Sequence, residues 1–107
     1  MNTNVKEILV IGLGLIGSSV AKVSREKGIK VHGFDINEDS LKHALENNII
    51  DESFGSIEEI NNKNLASYID LIVIAVSPEA TKNIINGVEG LWNSDITITD
   101  TASVKAH

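Results

Sequence analysis

The stretch that most constrains this chain is VKEILVIGLGLIGSS, Val5 to Ser19. Within it an aliphatic run, Ile8 to Ile11, goes straight into Gly12, Gly14 and Gly17, and small and apolar residues up to Val23 follow. Consecutive aliphatic and β-branched residues stopped by glycine read as a short buried strand. After Gly17 the apolar positions return at helical spacing, so that segment reads as a helix. The glycines therefore occupy a strand-to-helix turn, the setting in which G-x-G-x-x-G points to dinucleotide binding. Gly12 makes the tight turn, Gly14 lets a pyrophosphate come close to the backbone, and Gly17 lets the helix pack on the strand. Leu15 and Ile16 lie between the last two, at a helix N-terminus whose amides and dipole favour phosphate. An ordinary glycine turn is the competing reading.

The 107 residues suit one domain, residues 1–107, and 42% of them are hydrophobic, as a globular chain requires. The formal charge of −6 argues against nonspecific nucleic-acid binding. An acidic chain that holds an acidic ligand must use local amides and dipoles instead. There is no cysteine, so neither a disulfide framework nor a thiolate metal site is expected. No apolar run approaches a membrane span, and the opening MNTNVKEI does not resemble a signal peptide. The expectation is a cytoplasmic protein with no membrane partner.

In chain order, a helix is expected over about Ile16–Lys27, capped by Gly28, and a second strand over Lys30–Phe34. Asn37 reads as the N-cap of a second helix, with Glu38 and Asp39 in its first turn and Leu41, Ala44 and Leu45 as its buried stripe. Ile49–Phe54 reads as a weak third strand, Ser56–Ile60 as a helical turn and Asn61–Asn64 as polar loop. The second strongly apolar run, IDLIVIAV from Ile69 to Val76, suggests a parallel strand covered on both faces. Ser77 then reads as an N-cap and Pro78 as the first residue of a helix that Gly87 or Gly90 ends. Ile96–Thr99 is a further strand. Alternating strands and helices predict an α/β fold, a Rossmann-type doubly wound parallel sheet of about five strands.

Asp35 ends the second strand, about twenty residues past the glycine turn. A carboxylate there accepts hydrogen bonds from both hydroxyls of an adenosine ribose and repels a 2′-phosphate. Ile36 and Asn37 follow, with no arginine to neutralise such a phosphate, so NAD is favoured over NADP. A solvated or capping acid is the alternative for Asp35. Ser77 and Pro78 lie at the carboxyl end of the second buried strand, where ligands of open α/β sheets sit, although a plain helix start accounts for them equally. Asp100 to Lys105 follows the last strand at the same edge. Ser103 there could donate a hydrogen bond to a substrate and Lys105 attract a carboxylate, with a capped turn as the alternative. His32 reads as a satisfied, partly buried imidazole, His43 as solvated, and His107 as too unconstrained to position a proton transfer. No histidine pair has metal-ligand spacing backed by a third ligand. Trp92 reads as packing and Glu58-Glu59 as a solvated face.

Beside these readings stands a resemblance. IGLGLIGSSVA, GFDIN, NNIIDE, DLIVIAVSPEAT and TITDTASVKA are similar to the amino-terminal domain of prephenate dehydrogenases and the related arogenate dehydrogenases, over nearly the whole chain. The glycine turn is shared with many dehydrogenases, whereas the D-x-x-S-V-K element, Asp100 to Lys105, is far more specific. The β-hydroxyacid dehydrogenases carry a G-L-G-x-M-G turn, but Ile16 replaces the Met and they lack the S-V-K ending. The resemblance implies NAD as cofactor, Asp100 among the cofactor-binding residues, and prephenate or arogenate as small-molecule substrate. Prephenate would undergo oxidative decarboxylation to 4-hydroxyphenylpyruvate, a step of tyrosine biosynthesis. The resemblance also implies that Ser103 orients a catalytic histidine, which in the family lies in a downstream G-H-P motif, and that a carboxyl-terminal helical domain completes the pocket. Neither is among these residues, so the chain alone is expected to hold NAD weakly without turning prephenate over. Doubly wound sheets commonly continue past a fifth strand, which makes pairing of two copies through an exposed edge a candidate homodimer. Another small-substrate dehydrogenase domain and a stand-alone nucleotide-sensing module are the rival functions.

Overall fold

The computed structural model describes residues 5–67, 69–88 and 96–100, with the backbone alone at Pro78. Strands and helices alternate: β1 Glu7–Ile11, α1 Leu15–Glu26, β2 Lys30–Phe34, α2 Glu38–Glu46, β3 Glu52–Phe54, α3 Ile57–Asn62, a 3-10 turn Leu65–Ser67, β4 Leu71–Ile74, α4 Pro78–Gly87 and β5 Thr97–Asp100. The strands form one sheet in the order β3-β2-β1-β4-β5, with every pairing parallel. Strand order therefore reverses between β1 and β4, the place where open α/β sheets seat their ligands.

The aliphatic runs become central strands because period-two alternation gives each of them two faces to bury. Ile8 and Val10 of β1 and Val73 of β4 pack with Ala21, Leu41 and Ala44, on the side of α1 and α2. Leu9, Ile11, Ile72 and Ile74 pack with Ile60, Leu65 and Ile84, on the side of α3 and α4. Helices thus cover both faces, which makes the sheet the doubly wound, Rossmann-type fold. Each fully buried aliphatic side chain contributes about 1.5–3 kcal/mol.

Several boundaries differ from expectation, each for a local reason. The third strand is reduced to Glu52–Phe54, because Ile49 and Ile50 instead donate their N–H groups to Ala44 O and close the end of α2. Leu45, expected in the buried stripe, is 41% exposed, since Leu41 and Ala44 already fill the contact. The helical turn after Ser56 extends through Asn62, with Ser56 Oγ accepting from Glu59 N–H. Glu59 is exposed, yet its Oε1 accepts from Gly55 N–H at 2.7 Å, so it also braces the helix start. Gly28, at φ +85°, follows the last residue of the α1 cap as expected.

Acids hold together the amino ends of the strands. Asp70 Oδ2 accepts from the N–H groups of Lys6 and Glu7 at 2.9 and 3.0 Å. Asp51 Oδ2 accepts from Val31 N–H at 2.8 Å, and its Oδ1 pairs with Arg25 at 3.0 Å. His32 is completely buried, with Nε2 2.6 Å from Glu7 Oε2 and Nδ1 3.0 Å from Glu52 Oε1. One ring thereby spans β1, β2 and β3.

Candidate functional site

At the opposite, carboxyl edge, register places Phe54, Phe34, Ile11, Ile74 and Asp100 in one row across the five strands. The residues singled out by sequence follow that row directly. Gly12 succeeds Ile11, Asp35 succeeds Phe34, Ser77 lies three residues past Ile74, and Asp100 is in the row itself.

The three glycines have different reasons to be there. Gly12 has φ +95°, a conformation side chains rarely adopt, and an added Cβ would stand 2.6 Å from Val76 Cγ1 and 2.8 Å from Ala75 O. Its N–H donates to Phe34 O at 2.8 Å. At Gly17 a Cβ would be 1.8 Å from Gly12 O, so α1 can cross β1 this closely only with hydrogen there. Gly14 is the N-cap of α1, with an ordinary φ of −73°, and a Cβ there would meet nothing within 4 Å. Neither conformation nor neighbours call for glycine at this position.

The first turn of α1 faces outward. Its amides have no preceding carbonyls to bond, Gly14 has no side chain with which to cap them, and the turn holds no acidic residue. Leu15 is 87% exposed and Ile36, just past the end of β2, is 84% exposed. A diphosphate fits this cradle: donors are present, the dipole has the right sign, and the volume a side chain would take is empty.

Leu13, unremarked in the sequence, is held at three points. Its side chain is buried, its carbonyl accepts from Ser18 Oγ at 2.9 Å, and its N–H donates to Asp35 Oδ2 at 2.9 Å. Asp35 Oδ1 accepts from Asn37 N–H at 2.9 Å, and Asn37 Oδ1 in turn accepts from Ser40 N–H, capping α2. An ionised carboxylate has about four lone-pair positions. Two are used here, which leaves acceptor capacity on both oxygens for sugar hydroxyls. Nothing in the local sequence announces the Leu13–Asp35 bond, because it spans 22 residues and depends on the β1–β2 register.

Ser77 is the N-cap of α4, its Oγ accepting from Ala80 N–H at 3.3 Å, and Pro78 begins the helix. Both lie at the β4 end, next to the Ala75–Val76 segment on which Gly12 rests. Asp100 is half-buried at the end of β5. Trp92, Ser103, Lys105 and His107 lie outside the described residues. His43 is exposed on α2 beside Asn47, and His32 lies mid-strand in β2, its ring nitrogens on Glu7 and Glu52 at the amino edge. Among the described residues no cluster of three or more His, Asp or Glu could hold a metal ion, and no helix is long and apolar enough to cross a membrane. A groove of about 610 Å³ along α1, lined by Val5, Val20, Val23, Ile29 and Leu71 among others, includes none of the glycine-turn residues.

Comparison with known proteins agrees with this geometry. The structure of prephenate dehydrogenase from A. aeolicus in complex with hydroxyphenyl propionate and NAD+ superposes with a TM-score of 0.79 at 27% identity, over 94% of this chain and 35% of that one. UDP-N-acetyl-D-mannosamine dehydrogenase of Methanococcus maripaludis is 34% identical over 91 residues, covering 77% of this chain and 21% of the relative. Ktr system potassium uptake protein A of Vibrio alginolyticus is 31% identical over 101 residues, covering 86% of this chain and 46% of the relative. The chain thus spans between about a fifth and a half of the proteins it resembles. The sequence profile of the prephenate dehydrogenase nucleotide-binding domain matches residues 20–107. That match begins beyond the glycine turn and so does not depend on the motif shared by many dinucleotide-binding chains; the chain belongs to the family of prephenate dehydrogenase nucleotide-binding domains.

Proposed function

We propose that this chain binds NAD at the carboxyl edge of its sheet and is the nucleotide-binding domain of a prephenate or arogenate dehydrogenase. The observation that carries the assignment is Gly14, a glycine whose absent side chain faces open space beside uncapped helix amides. A closely approaching diphosphate supplies the reason the fold does not. In this role the amides of Gly14, Leu15, Ile16 and Gly17 receive the diphosphate and Asp35 receives the adenosine ribose. Ser77, Pro78 and Asp100, on the far side of the strand-order reversal, border the remainder of the cofactor. Bound NAD supplies a hydride acceptor, and with prephenate as donor the products are 4-hydroxyphenylpyruvate and carbon dioxide. Ser103 is assigned to orienting the substrate and a histidine from elsewhere in the complete enzyme. The 107 residues alone hold cofactor without turnover, in the cytoplasm, and a homodimer through the β5 edge is the assembly to test.

Titration of the purified chain with NAD and NADP by calorimetry tests the cofactor assignment. NAD is expected to bind at least roughly tenfold tighter, a difference of about 1.4 kcal/mol, because a 2′-phosphate would meet the Asp35 carboxylate. Equal affinity or tighter NADP binding overturns it. A nucleotide-binding module without chemistry of its own is the second reading, favoured by the likeness to a potassium uptake protein. NADH formation on adding prephenate to the full-length parent decides for the first, and its absence for the second.

A further inference from the structure

We infer that Asp35 is also a positioning residue: through Leu13 it holds the glycine turn in the shape that receives a diphosphate, separately from any contact it makes with the ribose. This rests on the nucleotide-binding function proposed above and deepens it.

The geometry is specific. Asp35 Oδ2 takes the Leu13 N–H at 2.9 Å, immediately before the amides assigned to the diphosphate. Ser18 Oγ takes up the other side of the same residue, through Leu13 O at 2.9 Å, and the Leu13 side chain is 95% buried by its 5% residual exposure. Leu13 is therefore fixed at its amide, its carbonyl and its side chain; the side chain packs with Val31, Leu41 and Ile50, and of the two hydrogen bonds only the one at the amide comes from outside the turn and α1. The other oxygen of Asp35 takes Asn37 N–H, and Asn37 caps α2. One carboxylate thus ties the start of α1 to the start of α2. A half-buried, charge-assisted bond of this kind is stronger than a neutral one, and removing the acceptor leaves the Leu13 donor to find water. The turn then loses one of its lateral anchors, the Gly12 N–H bond to Phe34 O being the other backbone tie to β2, and ordering Leu13 again opposes ligand binding.

A consequence separates this from a pure sugar contact. Replacing Asp35 to admit a 2′-phosphate should weaken the grip on every diphosphate ligand, whatever its sugar. The probes are ADP and 2′,3′-dideoxyadenosine 5′-diphosphate, which keeps the diphosphate and lacks both ribose hydroxyls. Each is titrated against the wild-type chain, Asp35→Ala and Asp35→Asn, with amide hydrogen exchange of the unliganded proteins followed by NMR. In Asp35→Ala the Leu13 amide is expected to exchange faster while the Leu9 and Val10 amides in β1 do not. Affinity for the dideoxy ligand should fall roughly three- to tenfold, the span of one ordinary hydrogen bond, and affinity for ADP should fall further. Asp35→Asn keeps one carbonyl oxygen and should show a smaller loss of dideoxy affinity; it also serves if the alanine variant does not fold. Unchanged dideoxy affinity with weakened ADP binding overturns the positioning role and leaves Asp35 as a ribose acceptor. An unchanged Leu13 exchange rate overturns it as well. Wild-type protein that binds neither ligand defeats the nucleotide-binding function itself, and the positioning role with it.

Discussion

The two ends of the sheet differ in how many polar groups they leave without a partner. At the amino end, Asp51, Asp70, Glu7 and Glu52 are occupied by backbone amides, Arg25, Lys30 or the buried ring of His32. At the carboxyl end, the first-turn amides of α1 face outward without a cap, and Leu15 and Ile36 are almost wholly in water. The amino edge uses its acids to join strands; the carboxyl edge ties Leu13 and Asn37 to Asp35 but leaves the first-turn amides of α1 uncapped. The contrast teaches where to look for a ligand: at the edge where donors and apolar surface are both left over, and not simply where charge is dense.

The largest effect expected from this contrast is at Gly17. Substitution Gly17→Ala puts a methyl 1.8 Å from Gly12 O and 3.4 Å from Ala75 Cβ, with no rotamer to relieve it. A loss of about 3 kcal/mol or more in urea unfolding is expected, at the upper end for overpacking. A smaller loss, under about 1 kcal/mol, would mean that α1 can slide off β1 and that the turn is less rigid than described.

Next is His32→Ala, which removes the ring bridging β1, β2 and β3 and leaves a cavity beside Phe54. Stability should drop by about 2–4 kcal/mol, with NAD affinity of the folded fraction unchanged. A parallel loss of affinity would break the separation of the two edges.

The smallest effect on folding and the most informative on binding is Gly14→Ala. No neighbour lies within 4 Å of the new methyl, so stability should change by no more than about 1 kcal/mol, the scale of an N-cap replacement. NAD affinity, measured by calorimetry, should fall roughly tenfold or more, about 1.4 kcal/mol. Unaltered affinity would remove Gly14 from the site.

Much of the fold was legible in the sequence because burial there is local in pattern. β1 and β4 are unbroken aliphatic runs, and Asn37, Ser56 and Ser77 start helices where short polar caps ought to. The 3-10 turn Leu65–Ser67 was not legible, since three residues are too few to show a period. Nor was the shortness of β3, because Ile49 and Ile50 are good strand formers whose amides α2 takes instead. Of the candidate site, the places of the glycines and of Asp35 at the ends of β1 and β2 could be read from spacing, which reflects a strand, a helix and a second strand of ordinary length. The Leu13–Asp35 bond and the Glu7–His32–Glu52 bridge could not, because both depend on the lateral offset between strands. Such offsets are settled by how the cores fill, and no single segment encodes them.

The alternation of β1 between two cores has a further consequence. Ile8 and Val10 belong to one and Leu9 and Ile11 to the other, so a slip of a single position would exchange the contents of both interiors together. The strand therefore works as a vernier. Two independent scales, read at once, fix where the chain emerges at its upper rim, and they place the first-turn amides of α1 to within less than one residue's rise before any ligand arrives.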